Sequence, residues 1–304
     1  MTIDSLTIGP ARPEERIAAF ALLFPADDQV LQRVERAEQM IECGQLDPAA
    51  IRVARDKAGM AAAILAAPLP GGGAVVWPPR QREHFRKSTA AVESLCRDTV
   101  DWLERQGTRL AQALVSPSET DLVEPLLRFG FQRTTRLVYM RHFLELSLTQ
   151  IGTEEKCSYQ TYDEAGESAF SEVLHRTYEG TLDCPEINDA RTPAEVLAGH
   201  RAAGPFDPDR WWLASLDGKP AGMVLATMPE PEAWDIAYLG VVPEARRRGV
   251  GGELVRKVLF EAKIAEVPVV TLAVDERNDP ARELYRAAGF EQYDERDVYL
   301  RRFD

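Results

Sequence analysis

The feature that most constrains the fold of this chain is an internal repeat. Residues 113–131 and 272–290 align over 19 residues without a gap, and both segments end in Gly-Phe. Upstream of each segment the sequence pattern predicts strands and then an amphipathic helix, so the elements follow the same order in both halves. Chance alone could produce the short match, but its agreement with the element order favours two tandem domains of one fold.

The length of the chain agrees with two domains. The 304 residues are about twice the usual single-domain length. We therefore divide the chain into residues 1–148, a degenerate first copy, and residues 149–304, with the joint near residues 145–156.

Composition and charge narrow the class of partner. Hydrophobic residues make up 45% of the chain and charged residues 28%, which is typical of a globular protein with a packed core. Net charge is about -1 over residues 1–150 and about -12 over the rest, for a total of -13. Because an acidic surface repels polyanions, we expect no nucleic-acid partner, and a cationic amine is favoured near the second half.

The cysteines and histidines give no sign of a metal site or a disulfide framework. The four cysteines lie 53, 61 and 27 residues apart, and the four histidines are scattered. The sequence also has no export signal and no uninterrupted apolar stretch that could span a membrane. We therefore predict a cytoplasmic protein with no metal and no membrane partner, while the oligomeric state is not indicated.

The second half has a readable order of elements. Periodicity predicts a strand over 158–162, helices over 167–178 and 193–203, and then three antiparallel strands over 211–215, 221–228 and 233–242. A helix after Pro243, a strand over 268–274 and a helix over 281–288 follow, which implies a crossover between two parallel strands. The predicted fold class is α/β in the broad sense, that is, an α+β fold with a mixed sheet. Each of the two domains is expected to hold a mixed, mostly antiparallel sheet flanked by helices.

A segment rich in glycine and arginine joins the last strand of this meander to the next helix. Arg246, Arg247 and Arg248 precede Gly249, Gly251 and Gly252. Glycines let backbone N–H groups approach a phosphate, and the helix N-terminus and the arginines stabilise the anion. Each helical glycine costs about 0.5 to 1 kcal/mol relative to alanine, so three of them call for a reason. A pyrophosphate fits this turn; a solvated basic turn at a glycine-softened helix start is the alternative.

The segment resembles the pyrophosphate motif of the GNAT superfamily of acyl-CoA-dependent N-acyltransferases, Arg/Gln-x-x-Gly-x-Gly/Ala. Here the motif is Arg246-x-x-Gly249-x-Gly251, with Asn278 and the sequence Leu284-Tyr285-x-x-x-Gly289-Phe290 at the family's spacing. The resemblance covers residues 158–303 and implies acetyl-CoA as the co-substrate.

The resemblance also implies roles for individual residues. Backbone groups of Leu239, Gly240 and Val241 would contact the pantetheine arm, and Asn278 would contact the cofactor arm near a splay between the two parallel strands. The remaining residues expected to bind the cofactor, around its pyrophosphate, are Arg246, Arg247, Arg248, Gly249, Val250, Gly251 and Gly252.

Two residues are candidates for proton transfer. Attack on a thioester needs a neutral amine, whose solution pKa is about 10.4 for a lysine-like group, so a base must accept a proton. Asp235 is the candidate base, on a strand face that alternation would share with Leu239 and Val241; a salt-bridged carboxylate is the alternative. Tyr285 occupies the family's acid position and would protonate the departing thiolate, unless it is simply an aromatic core residue.

The first half lacks the glycine-rich loop. No glycine occurs between Trp77 and Thr89, Leu126 aligns with Tyr285, and Glu119 aligns with Asn278. We therefore expect the first copy to have lost acyl-CoA chemistry and to serve as scaffold, cleft wall or partner surface. Four basic residues could still hold an anion, although a solvated basic turn is favoured: Arg80, Arg82, Arg86 and Lys87.

In the second half, Phe206-Asp207-Pro208 precedes Trp211-Trp212-Leu213-Ala214 and then Asp217-Gly218. With the tandem arrangement, these residues resemble the mycothiol synthase family, in which the C-terminal copy is catalytic. We expect an acetyl-CoA-dependent N-acetyltransferase that acts on a primary amine of a small molecule or peptide by direct attack in a ternary complex. The resemblance implies that the acceptor is bound by the loop over residues 178–189. Four acidic residues of this loop would suit an ammonium group, or would simply be solvated: Glu179, Asp183, Glu186 and Asp189. The alternative function is a non-enzymatic acyl-CoA-binding or protein-interaction module.

Overall fold

The computed structural model describes residues 6–24, 26–57, 59–83, 89–144, 156–188, 190–202, 205–230 and 232–303. These residues form two compact units. The first contains residues up to 134 together with the C-terminal residues from 297 onward, and the second contains residues 135–296. None of the described helices is long and apolar enough to cross a membrane.

The first unit is a mixed sheet with helices against it. Its strands follow the order β1-β2-β3-β4-β5-β12, and every neighbouring pair is antiparallel except β4 and β5. The elements are β1 (Thr7–Pro10), α1 (Pro13–Leu23), α2 (Val30–Glu42), β2 (Ile51–Asp56), β3 (Gly59–Leu69), β4 (Gly73–Gln81), α3 (Ala90–Arg105), β5 (Leu110–Val115), α4 (Val123–Arg128) and the last residues of β12 (Glu291–Arg302).

The second unit repeats this order. Its strands follow the order β7-β8-β9-β10-β11-β6, and the single parallel pair is again the fourth, between β10 and β11. The elements are β6 (Gln132–Phe143), β7 (Cys157–Thr161), α5 (Tyr162–Thr177), α6 (Pro193–Ala202), β8 (Trp211–Leu216), β9 (Lys219–Glu230), β10 (Ala233–Val241), α7 (Val250–Ile264), β11 (Val269–Asp275) and α8 (Asp279–Ala287). The predicted mixed, mostly antiparallel sheets and the predicted parallel pair are therefore confirmed.

The two halves of the sequence exchange their last strands, so the boundaries of the units differ from the division at residue 148. The strand β6 of the first half pairs with β11, and Val138 and Met140 lie in the core of the second unit. In return, residues 297–302 of β12 pair with β5, and Tyr299 lies in the core of the first unit. The expected joint around residues 145–155 lies outside the described residues.

Helices cover both faces of the second sheet. Successive residues of a strand point to opposite faces, and Trp211 packs against Phe170 of α5 while the Lys257 ammonium of α7 lies over the ring of Trp212. Thus α5 lies on one face and α7 on the other. The His200 ring of α6 lies 6.0 Å from Tyr238, a residue that shares the face of Trp211. Thr192 and Glu195 form the expected capping interaction at the start of α6.

Candidate active site

Two neighbouring strands of the second unit diverge, as the family resemblance implied. The parallel register between β10 and β11 runs from Ala233↔Val269 to Ile236↔Leu272. Past this point, in the described part of the unit, residues 238–241 of β10 pair with β9, and residues 273–275 of β11 pair with β6. Since a strand carries hydrogen-bonding groups along both edges, residues 237–241 have one backbone edge without a strand partner. This edge is open to a ligand except at the Val241 carbonyl, which accepts a hydrogen bond from Arg246.

The helix α7 begins beside this opening. Gly249 is its N-cap, with a φ of 90°, and the first helical hydrogen bond runs from the Glu253 N–H to the Gly249 carbonyl at 3.1 Å. The N–H groups of Val250, Gly251 and Gly252 therefore precede the hydrogen-bonded ladder and have no helical acceptor. Such groups, at the positive end of a helix, form an anion-binding site.

The three glycines have different structural reasons. Gly249 has open space around it but a left-handed φ, which L side chains rarely adopt. A Cβ on Gly251 would lie 3.1 Å from Leu284 of α8, so this glycine allows α7 and α8 to approach closely. Gly252 has ordinary space, with Arg256 at 3.4 Å. Backbone conformation and packing therefore account for two of the three glycines.

The three arginines of the loop also differ. The Arg246 guanidinium donates to the carbonyls of Val241, Thr177 and Gly180 at 3.1, 3.0 and 3.3 Å, so it fixes the loop against the end of α5.

Arg248 is exposed and forms an ion pair with Asp217 at 2.8 Å. Arg247 is exposed, has a φ of 61° and forms no ion pair with any described residue. It is the arginine of the loop that is most available to an anion.

A β-bulge changes the position predicted for Asp235. The register of β10 against β9 shifts between Ile236 and Tyr238. Asp235 is opposite Thr227, whereas Leu239 is opposite Val224, so their side chains lie on opposite faces of the sheet. The expectation that Asp235 shares a face with Leu239 and Val241 is therefore wrong, because the bulge inserts a residue between them.

Asp235 instead lies on the face that carries α5 and α6, together with Tyr238 and Gly240. Its carboxylate accepts a hydrogen bond from the Thr271 hydroxyl at 2.7 Å, and no ion pair joins it to any described residue. Burial raises the pKa of Asp235 above its ordinary value, and the hydrogen bond from Thr271 opposes this shift. A carboxylate of raised pKa that accepts a single hydrogen bond is suited to accept a proton.

The ring of Tyr285 is buried, 5.8 Å from that of Phe290. Its hydroxyl forms no hydrogen bond with a residue of the described ranges. Burial raises the pKa of Tyr285, and the nearby negative charge of Asp183 raises it further. Tyr285 is therefore protonated at neutral pH and available as a donor. Asn278, six residues after Leu272, caps α8 by accepting a hydrogen bond from the Ala281 N–H at 3.3 Å.

The loop between α5 and α6 is held to the end of β11. Asp275 accepts hydrogen bonds from the Thr135 hydroxyl at 2.7 Å, the Cys184 N–H at 3.0 Å and the Arg277 guanidinium at 2.7 Å. Burial raises the pKa of Asp275, but these hydrogen bonds outweigh it and hold the pKa at about 2. Asp183 in turn accepts from the Asp275 N–H at 3.1 Å.

These hydrogen bonds latch the loop to β11, and they use part of the predicted acidic loop. Glu186 is bound by both terminal nitrogens of Arg277, at 2.6 and 3.0 Å, so it is not available to an ammonium group. Asp189 lies outside the described residues. Asp183, Cys184 and Asp275 bring one possible metal ligand each within 4.8 Å of one another. Because the oxygens of Asp275 already accept hydrogen bonds from cationic and neutral donors, the group acts as a latch for the loop.

The first unit has a different set of residues at its own strand opening, which corresponds to the opening between β10 and β11. Its strands β4 and β5 also diverge, beyond the pair Val76↔Ala113. A cavity of about 570 Å³ lies there between the end of β4, the start of α3 and α4. Arg80 forms an ion pair with Glu119, and Arg128 with Glu93 in the first turn of α3. Arg86 and Lys87 of the predicted basic run lie outside the described residues.

Several residues around Asp235 were not predicted from the sequence. Thr271 and Tyr139 come from β11 and β6, and Tyr293 comes from β12. The charge of Asp235 affects the pKa of both tyrosines, which places them in its surroundings. The only available signal was alternation along strands whose pairing partners were unknown, so the sequence could not assign these residues to the site.

Comparison with known proteins agrees with this arrangement. Residues 174–290 match the family described as Acetyltransferase (GNAT) family. A mycothiol acetyltransferase of Thermomonospora curvata is 30% identical over 166 residues, which cover 54% of this chain and 54% of that protein. The matched part of this chain thus spans about half the length of that curated relative.

Solved structures share the fold of the whole chain. A GCN5-related N-acetyltransferase from Sphaerobacter thermophilus has a TM-score of 0.67 at 17% identity, over 98% of this chain and 95% of that one. A tandem GNAT protein from the clavulanic acid biosynthesis pathway has a TM-score of 0.54 at 16% identity, over 98% of each chain. At these identities the likeness shows a common fold, including that of a tandem protein.

Proposed function

We propose that this protein is an acetyl-CoA-dependent N-acetyltransferase whose chemistry takes place in the second unit, since residues 174–290 match the GNAT acetyltransferase family. The observation that carries this proposal is the position of the N-terminus of α7 beside the opening between β10 and β11.

The described residues fit acetyl-CoA. The first-turn N–H groups of α7 and the exposed Arg247 are suited to the pyrophosphate. Leu239 lies on the open edge of β10, where its backbone groups can pair with the amides of the pantetheine arm, and Val241 offers its N–H there because Arg246 already uses its carbonyl. Acetyl-CoA supplies an activated acetyl group on its thioester. Arg246 supports this loop by its bonds to the backbone, and Asn278 fixes the start of α8 nearby.

Asp235 and Tyr285 divide the proton transfers between them. The Asp235 carboxylate accepts the proton that the acceptor amine loses when it attacks, directly or through a water molecule. The Tyr285 hydroxyl donates a proton to the sulfur as the thiol departs. The environments of the two side chains support these roles, because the carboxylate accepts only one hydrogen bond and the phenol is protonated.

We assign a structural role to the first unit. Its helix α3 begins with Ala90, Ala91 and Val92, and no glycine precedes it between Trp77 and Thr89, whereas α7 has Gly249 as its N-cap and Gly251 and Gly252 in its first turn. In addition, Leu126 stands where the second unit has Tyr285, so the acid is missing. The first unit is thus expected to serve as scaffold without acyl transfer of its own.

The test is the release of free thiol from acetyl-CoA in the presence of a panel of primary amines. We expect thiol release that depends on both the amine and the enzyme, with one acetylated amine formed per thiol. Binding of CoA without turnover of any amine would favour the non-enzymatic binding module instead. Absence of CoA binding would contradict the assignment of the site itself.

A further inference from the structure

One row of side chains crosses three strands on the face of Asp235. Asp235 of β10 is paired in register with Thr271 of β11, and Thr271 is paired with Arg141 of β6. Cross-strand partners point to the same face of a sheet, so the three side chains lie on one face. Neighbouring strands are ~4.8 Å apart, which puts the Cα atoms of Asp235 and Arg141 ~10 Å apart.

The two ends of this row carry opposite charges without an ion-pair partner. Asp235 accepts a hydrogen bond from Thr271 alone, and Arg141 forms no ion pair with any residue of the described ranges. The neighbouring charges of β12, Asp294 and Arg296, neutralise each other at 2.7 Å. The row therefore presents one negative and one positive group that are both available to a ligand.

Aromatic rings fix the position of the positive end. The Arg141 guanidinium lies 4.8 Å from the centre of the Phe143 ring and 5.3 Å from that of Tyr293. Such stacking orients the guanidinium while its N–H groups stay free to donate in the plane. An oriented guanidinium binds a carboxylate through two parallel hydrogen bonds.

Two tyrosines lie near these charges. The rings of Tyr139 and Tyr293 meet edge to face at 6.2 Å. Burial raises the pKa of Tyr139 to about 12, so its hydroxyl is neutral and can donate to a ligand. Tyr293 is 45% exposed, which leaves this wall of the site accessible from solvent.

We infer that the acceptor is an aminocarboxylate that places its amine at Asp235 and its carboxylate at Arg141. Arg141 is then the residue that selects the substrate, and β6, from the first half of the sequence, carries it. The separation of the two charged residues exceeds what a free α-amino acid spans. It suits an amine and a carboxylate separated by a chain of several atoms, as in a dipeptide. This inference rests on the proposed acetyltransferase function.

The first test compares matched acceptors with the full-length protein. Dipeptides are assayed against their C-terminal amides, and α-amino acids against their amides, by thiol release from acetyl-CoA. We expect kcat/KM for the dipeptide to exceed that for its amide by about 10-fold or more, since a charge-assisted pair is lost. Equal values would overturn the inference while leaving the acetyltransferase function intact. No thiol release with any amine would instead contradict the proposed function.

The second test assigns the preference to Arg141. In R141Q we expect the preference for the carboxylate to fall to about 2-fold or less, mainly through KM, and in R141K we expect an intermediate preference. Arg97→Gln changes an exposed arginine of α3 and is the matched control, with the preference unchanged. CoA binding and the melting temperature report whether each variant is folded. A folded R141Q that keeps the full preference would overturn the inference.

Discussion

At the scale of the residue, Asp235 shows how its surroundings set its chemistry. Burial raises its pKa, and Thr271 donates the one hydrogen bond that it accepts. The carboxylate can accept a proton only when it is ionised. A raised pKa therefore moves the loss of activity on acidification to a pH above the ordinary value for aspartate.

We accordingly predict an acidic limb in the pH profile of kcat/KM. Activity should fall tenfold per pH unit below the raised pKa of Asp235. D235N should be about 100-fold less active and should lose this limb, because the ionising group is gone. A D235N enzyme that keeps both the wild-type rate and the same acidic limb would show that another group accepts the proton.

Tyr285 gives a second prediction at this scale. The raised pKa keeps its hydroxyl protonated, so it serves as a donor and not as a base. Tyr285→Phe keeps the ring that packs against Phe290 and removes only the donor. We expect kcat to fall about 100-fold with CoA affinity unchanged, as measured by steady-state kinetics and titration calorimetry. Wild-type turnover in this variant would exclude Tyr285 as the acid.

At the scale of the element, the close approach of β10 to α5 depends on Gly240. A Cβ at this position would lie 2.8 Å from the Thr177 Cβ and 2.7 Å from the Tyr238 hydroxyl, which is itself hydrogen-bonded to Thr177 at 2.6 Å. We predict that Gly240→Ala lowers the free energy of unfolding by about 1 to 3 kcal/mol, because strand and helix must separate.

The matched control for this prediction is Gly9→Ala in the strand β1. A Cβ there would have nothing within 4 Å, so the free energy of unfolding should change little. Urea unfolding of both variants measures the difference. Equal stability of the two variants would mean that the strand and the helix are not held as closely as the contacts indicate.

The sequence predicted the elements better than their details. The helices α6 and α7 and the crossover between parallel strands follow from periodicity and capping residues such as Thr192. The bulge between Ile236 and Tyr238 carries no such signal, because no glycine or proline marks it, and it reversed the face of Asp235. Likewise, the bonds of Arg246 to three carbonyls depend on the position of α5, which local sequence does not specify.

At the scale of the whole molecule, the exchange of the last strands decides which fragments can fold. The core of the second unit includes Val138 and Met140 of β6, and β6 covers the edge of β11. A fragment of residues 149–304 lacks this strand, whereas a fragment of residues 135–296 contains all six strands of the unit.

We predict that only the second of these fragments folds. Loss of β6 removes buried apolar side chains and exposes a strand edge, so residues 149–304 should aggregate or lack a cooperative transition. Residues 135–296 should give a cooperative melt by circular dichroism and a single peak in gel filtration. A stable, monomeric fragment of residues 149–304 would contradict the exchange.

The tandem order was predictable from the sequence, but the exchange was not. Residues 138–143 and 298–303 have similar sequences, Val-Tyr-Met-Arg-His-Phe and Val-Tyr-Leu-Arg-Arg-Phe. Each segment therefore offers the same alternation of buried and exposed side chains to either sheet. Local pattern cannot distinguish two partners that a strand fits equally well, and the choice depends on how the whole chain is connected.

The central claim is that the N-terminus of α7 binds the pyrophosphate of CoA, and Gly249 tests it most directly. A carboxylate in G249D would meet the phosphates, and the left-handed φ would be strained. Gly107→Asp places the same residue at another left-handed glycine with open space, in the first unit. Titration calorimetry with CoA should show binding by the wild-type protein and Gly107→Asp, and at least 100-fold weaker binding by folded G249D. Equal affinity in all three proteins would contradict the account.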